Sequence, residues 1–243
     1  TIETGRRLID KYNCRACHNV EGKGGKIQKY LKAKAQYPPP LEMGDYHVGE
    51  RLKSSWLFSF LKEPTPVRTW IKVKMPTFFF SDKEVRELTA YFDAFSPAHA
   101  YEAGVHKGKD SAVAQKGAEM ANYMDCGRCH DDGQKGIEFS LASTRLRQDW
   151  IPKWLKNTRD MIPWTPMPSH WVKKGDQFTV PTKYSEIETV GDVATQVDTL
   201  KDLIVAYNTA ELDFDLSLGE GEDEEEGSGD EGEGDDEEED EDE

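Results

Sequence analysis

Long apolar runs are missing from this sequence. Nowhere do about 18 apolar residues follow one another, so no stretch reads as a membrane-spanning helix. No signal-peptide pattern is expected within 1–243, where Thr1 opens directly into an amphipathic helical pattern. Strand-like runs are few, which points to a mainly α fold. Bases are absent from 220–243, where every residue is Asp, Glu, Gly or Ser and 18 are acids. Setting those aside leaves 29 acids against 31 Lys and Arg, so the net charge of −16 belongs to the tail and the body is near neutral. A tail of one charge sign buries no apolar surface and is expected to be disordered. It would repel phosphates, so nucleic acid is not expected as a partner.

Cysteine is scarce, and its arrangement carries the chemistry. The four cysteines form two close pairs, Cys14–Arg15–Ala16–Cys17 and Cys126–Gly127–Arg128–Cys129, followed by His18 and His130. C-x-x-C-H reads as a c-type haem attachment site. Two thiols on one helical turn can each form a thioether to a haem vinyl group, and the next residue presents its imidazole to the iron. A zinc site shared by pairs so far apart, a thioredoxin-like site without its βαβ context, and scaffold disulfides are the competing readings. None of them requires the histidine.

The chain also repeats itself once. Gly5 and Gly117 each stand nine residues before the first cysteine of their motif. Arg51–Leu52 and Trp56 correspond to Arg145–Leu146 and Trp150; Leu61–Lys62 corresponds to Leu155–Lys156, and Met75–Pro76 to Met167–Pro168. Helical periodicity places Ile2, Leu8, Ile9 and Tyr12 on one face of a first helix, and Val113, Met120 and Met124 on its counterpart from Ser111. Short helices are expected at 56–62 and 150–156. A closing helix begins at a Ser81/Glu84 capping box and buries Val85, Leu88, Tyr91, Phe92 and Phe95, ending at Ser96–Pro97. Its counterpart runs from about Asp192 to Asn208, with Val193, Val197, Leu200, Ile204 and Tyr207 in one stripe.

This pattern resembles the class I cytochrome c family, in its tandem dihaem form. The resemblance implies a first cytochrome c domain at 1–96, a linker at 97–110, a second domain at 111–210 and the acidic tail at 211–243. It implies two haem c groups, with Cys14, Cys17, Cys126 and Cys129 holding them and His18 and His130 on iron. The sixth ligands would be Met75 and Met167, each before a proline and ahead of the closing helix. Met161 competes for the second iron, and so does His170; Met43, Met120 and Met124 read as packing. His47, His99, His106 and His170 read as surface or polar loop residues. Gly5 and Gly117 sit where the first and last helices would cross closely. Arg51, Trp56, Arg145 and Trp150 would meet haem propionates or cover the haem edge, and Pro40 would offer its carbonyl to the His18 ring.

An iron held by both His and Met has no open position, so the implied role is electron transfer between redox protein partners, free or within a membrane respiratory complex. The implied location is a periplasm or equivalent compartment. The acidic tail would dock on a basic partner or on the Lys-rich stretch 23–34. The alternative is a dihaem enzyme, peroxidase-like or sulfur-oxidising, with one openly ligated haem; the insertion at 171–191 after Met167 is where it would differ.

Overall fold

A computed structural model describes residues 1–43, 46–95, 111–130, 135–180 and 191–208. The expected linker at 97–110 with His99 and His106, the Ser96–Pro97 stop, the side chain of Val113, and the acidic tail lie outside the described residues. The N-terminal half contains α1 (Ile2–Lys11), α2 (Val48–Arg51), α3 (Ser54–Lys62) and α4 (Asp82–Asp93), with two short hairpins, β1 (Asn19–Val20) with β2 (Lys23–Gly24) and β3 (Glu42–Met43) with β4 (Tyr46–His47). The C-terminal half contains α5 (Ser111–Tyr123), α6 (Gly127–His130), α7 (Phe139–Arg145), α8 (Trp150–Met161) and α9 (Val193–Ala206). Its hairpin, β5 (Val172–Lys174) with β6 (Gln177–Thr179), occupies the expected insertion. The helical order of the first half thus recurs in the second. No helix among the described residues is long and apolar enough to cross a membrane.

The first and last helices of each half cross at a glycine. A Cβ on Gly5 would lie 2.3 Å from the Tyr91 Cβ, and one on Gly117 would lie 2.7 Å from both the Leu203 Cβ and the Thr199 carbonyl oxygen. Only a residue without a side chain allows backbones this near. Around the first crossing, Leu8, Ile9, Val85, Leu88 and Tyr91 form a buried core. Around the second, Ala118, Met120, Met124, Val197, Leu200, Leu203 and Ile204 do the same. The expected α9 stripe omitted Leu203, which is fully buried because it packs at the Gly117 crossing.

The helix starts follow local chemistry. Ser81 Oγ accepts from the Glu84 backbone N–H while the Glu84 carboxylate accepts from the Ser81 N–H, and Asp192 caps α9 through the Thr195 N–H. Glu84 also accepts from Lys11 Nζ at 2.7 Å and Tyr12 Oη at 2.8 Å, tying the end of α1 to the start of α4. Ser81→Ala is expected to cost about 1 kcal/mol, measured by urea unfolding. Lys11, then the Ser81 backbone and Tyr12, pull the Glu84 carboxyl down to about 2. A depressed carboxylate stabilises above its unfolded pKa, and that contribution is lost as pH falls through the folded value. The urea midpoint of Glu84→Gln should therefore vary less than that of the parent between about pH 5 and about pH 2.

The two halves meet in a pseudo-symmetric junction. Leu52 and Leu146, equivalent positions of the repeat, form an antiparallel bridge. The Lys53 N–H donates to the Arg145 carbonyl and the Arg147 N–H to the Arg51 carbonyl, both at 2.9 Å. Their side chains repeat the exchange: Lys53 Nζ reaches the Ser143 carbonyl at 2.9 Å, and Arg147 Nε the Gly49 carbonyl at 2.8 Å. Met43, Trp150, Met161 and Ile162 form a small apolar core of their own, with Tyr46 edge-on to Trp150. Met161, the rival ligand, is buried in this core.

Candidate haem-binding sites

The two C-x-x-C-H segments are built alike. Asn13 and Asp125, immediately before the first cysteine of each pair, adopt left-handed backbone angles of 52° and 57°. Asn and Asp tolerate that region better than most residues, because their short polar side chains bond locally. The reversal ends the preceding helix and starts a new turn. Within that turn the His18 N–H donates to the Cys14 carbonyl at 2.9 Å and the His130 N–H to the Cys126 carbonyl at 3.1 Å. Both thiols and the imidazole are thereby gathered on one turn.

Each imidazole is oriented by a backbone carbonyl. His18 Nδ1 lies 3.0 Å from the Pro39 oxygen and His130 Nδ1 lies 2.7 Å from the Ile137 oxygen. A carbonyl can only accept, so Nδ1 carries the proton and Nε2 keeps its lone pair, the form that binds a metal. Burial lowers the pKa of both rings and favours this neutral state. The expected carbonyl of Pro40 is replaced by that of Pro39. Successive carbonyls of an extended proline segment point in different directions, so the choice among three neighbouring prolines depends on tertiary placement. The second half does have an equivalent in Ile137, which the sequence reading missed. Its signal is Gly136: a Cβ there would lie 2.6 Å from the Cys129 oxygen and 2.9 Å from His130 Nδ1, so glycine is what lets this segment lie against the ring.

The four cysteines are free. Burial pushes the Cys14 thiol up to about 11 and Cys126 up to about 12. Among the described residues no group of three or more His, Cys, Asp or Glu is placed to hold a metal, so the two pairs do not converge on a shared zinc site.

The other expected residues fall around these turns. Cys14 and Met75 pack against one apolar core, Cys126 and Met167 against the other. Met167 Sδ accepts from Trp154 Nε1 at 3.2 Å. Trp56 stacks on Phe60 with ring centroids 4.8 Å apart, and Trp150 is buried in the junction core. His170, read as a surface or polar loop residue, stands in a loop but is buried, with its ring against Trp171. Trp171 beside it belongs to the apolar core of the second half. His47 is partly buried beside Phe95.

Arg51 and Arg145 are buried, and the Nε atom of each has no hydrogen-bond partner. Arg68, which the sequence reading passed over, joins them. Burial pulls Arg51 down to about 9 and Arg68 to about 10, and burial, with Arg68 and Arg51 nearby, holds Arg145 well below the usual arginine range. A guanidinium does not readily lose its proton, so such depressions mark cations short of an anion. Orphaned donors beside a carbonyl-oriented imidazole and paired thiols fit a covalently held haem, whose propionates would supply the missing negative charge.

Comparison with known proteins agrees for the first half. Residues 2–95 match the family model for Cytochrome c. This stretch is a cytochrome c domain, which implies a covalently bound haem c and haem-based electron transfer. No curated protein and no solved structure matches the chain.

Proposed function

We propose that the chain is a dihaem c-type cytochrome that carries electrons between redox proteins outside the cytoplasm, free or as a subunit of a respiratory complex. Cys14, Cys17 and His18 with Met75 would hold one haem, and Cys126, Cys129 and His130 with Met167 the other. The observation that carries this reading is the recurrence in 111–208 of what surrounds His18 in the matched stretch: a left-handed residue before the motif, a ring nitrogen held by a backbone carbonyl, and a glycine crossing of the outer helices.

Bound haem would supply the Fe(III)/Fe(II) couple. The protein's part would be to keep each imidazole neutral and aimed, to offer the Met75 and Met167 thioethers, which would favour Fe(II), and to exclude water with the apolar cores. The tail with its 18 acids would act as a solvated arm toward a basic partner and make encounter salt-sensitive. An optical redox titration of the holoprotein, with the ferric near-infrared spectrum that reports Met–iron bonding, tests the assignment. Two low-spin, Met-ligated haems indifferent to carbon monoxide and peroxide are expected. A high-spin haem, or one that binds either reagent, would defeat the carrier role and favour the enzyme alternative.

A further inference from the structure

Three arginines gather where the halves meet, and the junction's own acids do not serve them. The ion pairs there, Arg147–Asp93 at 3.3 Å and Lys153–Glu50 at 3.2 Å, use other cations. Arg51 and Arg145 are only 6% and 5% exposed, and Arg51 Nη1 faces the weakly accepting Met43 Sδ at 3.7 Å. Arg68 keeps some exposure as a residue, but its guanidinium is set deep. Arg145 belongs to α7 of the second half, yet its guanidinium lies 5.6 Å over the Trp56 ring of the first. It senses Arg51 and Arg68, and these two in turn act on the His18 ring. The backbone exchange between Arg51–Lys53 and Arg145–Arg147 fixes this approach. The stretch of the second half corresponding to Arg68, Asp160–Met167, contains no base, so the third cation is contributed by the first half alone.

We propose that Arg51, Arg68 and Arg145 form a single anion-binding cluster across the junction, built to hold the propionate carboxylates of both haems and so to link the two redox centres electrostatically. The proposal rests on the dihaem reading above. Like-charged guanidinium groups are buried together only where anions enter among them, and the planar fork of arginine matches a carboxylate. Each cation favours the added electron of a reduced haem nearby. In a shared cluster, an arginine of one half therefore raises the potential in both.

The test is spectroelectrochemical titration of the full dihaem protein, with haem counted as the pyridine complex. Arg145→Leu and Arg68→Gln, one from each half, should each shift both midpoint potentials downward, and Arg145→Lys should restore part of the shift. Two haems with only one component moving in each variant would overturn the shared cluster and leave the dihaem reading intact. Fewer than two haems in the parent protein would overturn both. Should Arg145→Leu lose a haem through misfolding, Arg68→Gln, on a loop, decides alone: movement of both components supports the cluster, and movement of one or none rejects it.

Discussion

Replacing Cys126 and Cys129 with alanine is expected to halve the covalently bound haem, from two groups per chain to one, and replacing Cys14 and Cys17 is expected to do the same. The measurement is haem content after acid–organic extraction, which removes any group held only by ligation. The expectation follows from the sites' independence: each set of thiols and imidazole is gathered on its own turn, with its own orienting carbonyl from Pro39 or Ile137. No disulfide links the pairs, so losing one leaves the other's thiols untouched. If the second pair of substitutions leaves the haem content unchanged, C-x-x-C-H at 126–130 is not an attachment site, and the chain carries a single haem in the stretch 2–95. If either pair abolishes all haem, the halves do not mature separately.

Much of this was legible in the sequence because it rests on local rules. The capping box at Ser81, the helix stripes and the two C-x-x-C-H turns depend on residues a few positions apart. The glycine crossings at Gly5 and Gly117 were expected from the resemblance to class I cytochromes c, in which the first and last helices cross closely. What was not legible depends on where distant backbone comes to lie. The carbonyl on His18 belongs to Pro39 rather than Pro40, a matter of which way an extended segment turns. Ile137 offers only its backbone to His130, so its side chain gives no hint. Gln196 looks like a surface residue of α9 but accepts from the buried Trp171 indole at 2.9 Å, a partner brought there by the β5–β6 insertion.

The junction shows the same limit more sharply. Arg51 and Arg145 were singled out because they repeat, but their convergence on each other was not. It follows from the backbone pairing about Leu52 and Leu146, which uses groups every residue possesses. Arg147 and Lys53 were unremarkable bases in the sequence and prove to be reciprocal clamps, each bonding carbonyls of the other half.

Valine at Gly5 or Gly117 should be severely destabilising, because each glycine stands where two helices cross. The added Cβ at Gly5 would face the Tyr91 Cβ at 2.3 Å and its ring carbons at 2.4 and 2.5 Å, close to the α4 backbone, where the side chain has little room to swing away. At Gly117 the clash includes the Thr199 carbonyl, which belongs to the α9 backbone itself. Relief requires the helices to separate, and separation opens the cores that Ile9, Val85 and Leu88 fill in one half and Ala118, Val197 and Leu203 in the other. Overpacking alone costs about 1–3 kcal/mol, and the lost burial adds to it, so a loss of about 3 kcal/mol or more is expected in urea unfolding. The same crossing positions the attachment turn after α1 or α5 relative to the methionine before α4 or α9. Each variant should therefore also weaken the near-infrared Met–iron band of its own half while sparing the other. A valine variant with unchanged stability would mean that the helices do not approach at these glycines, and a uniform loss of both bands would mean that the halves fold as one.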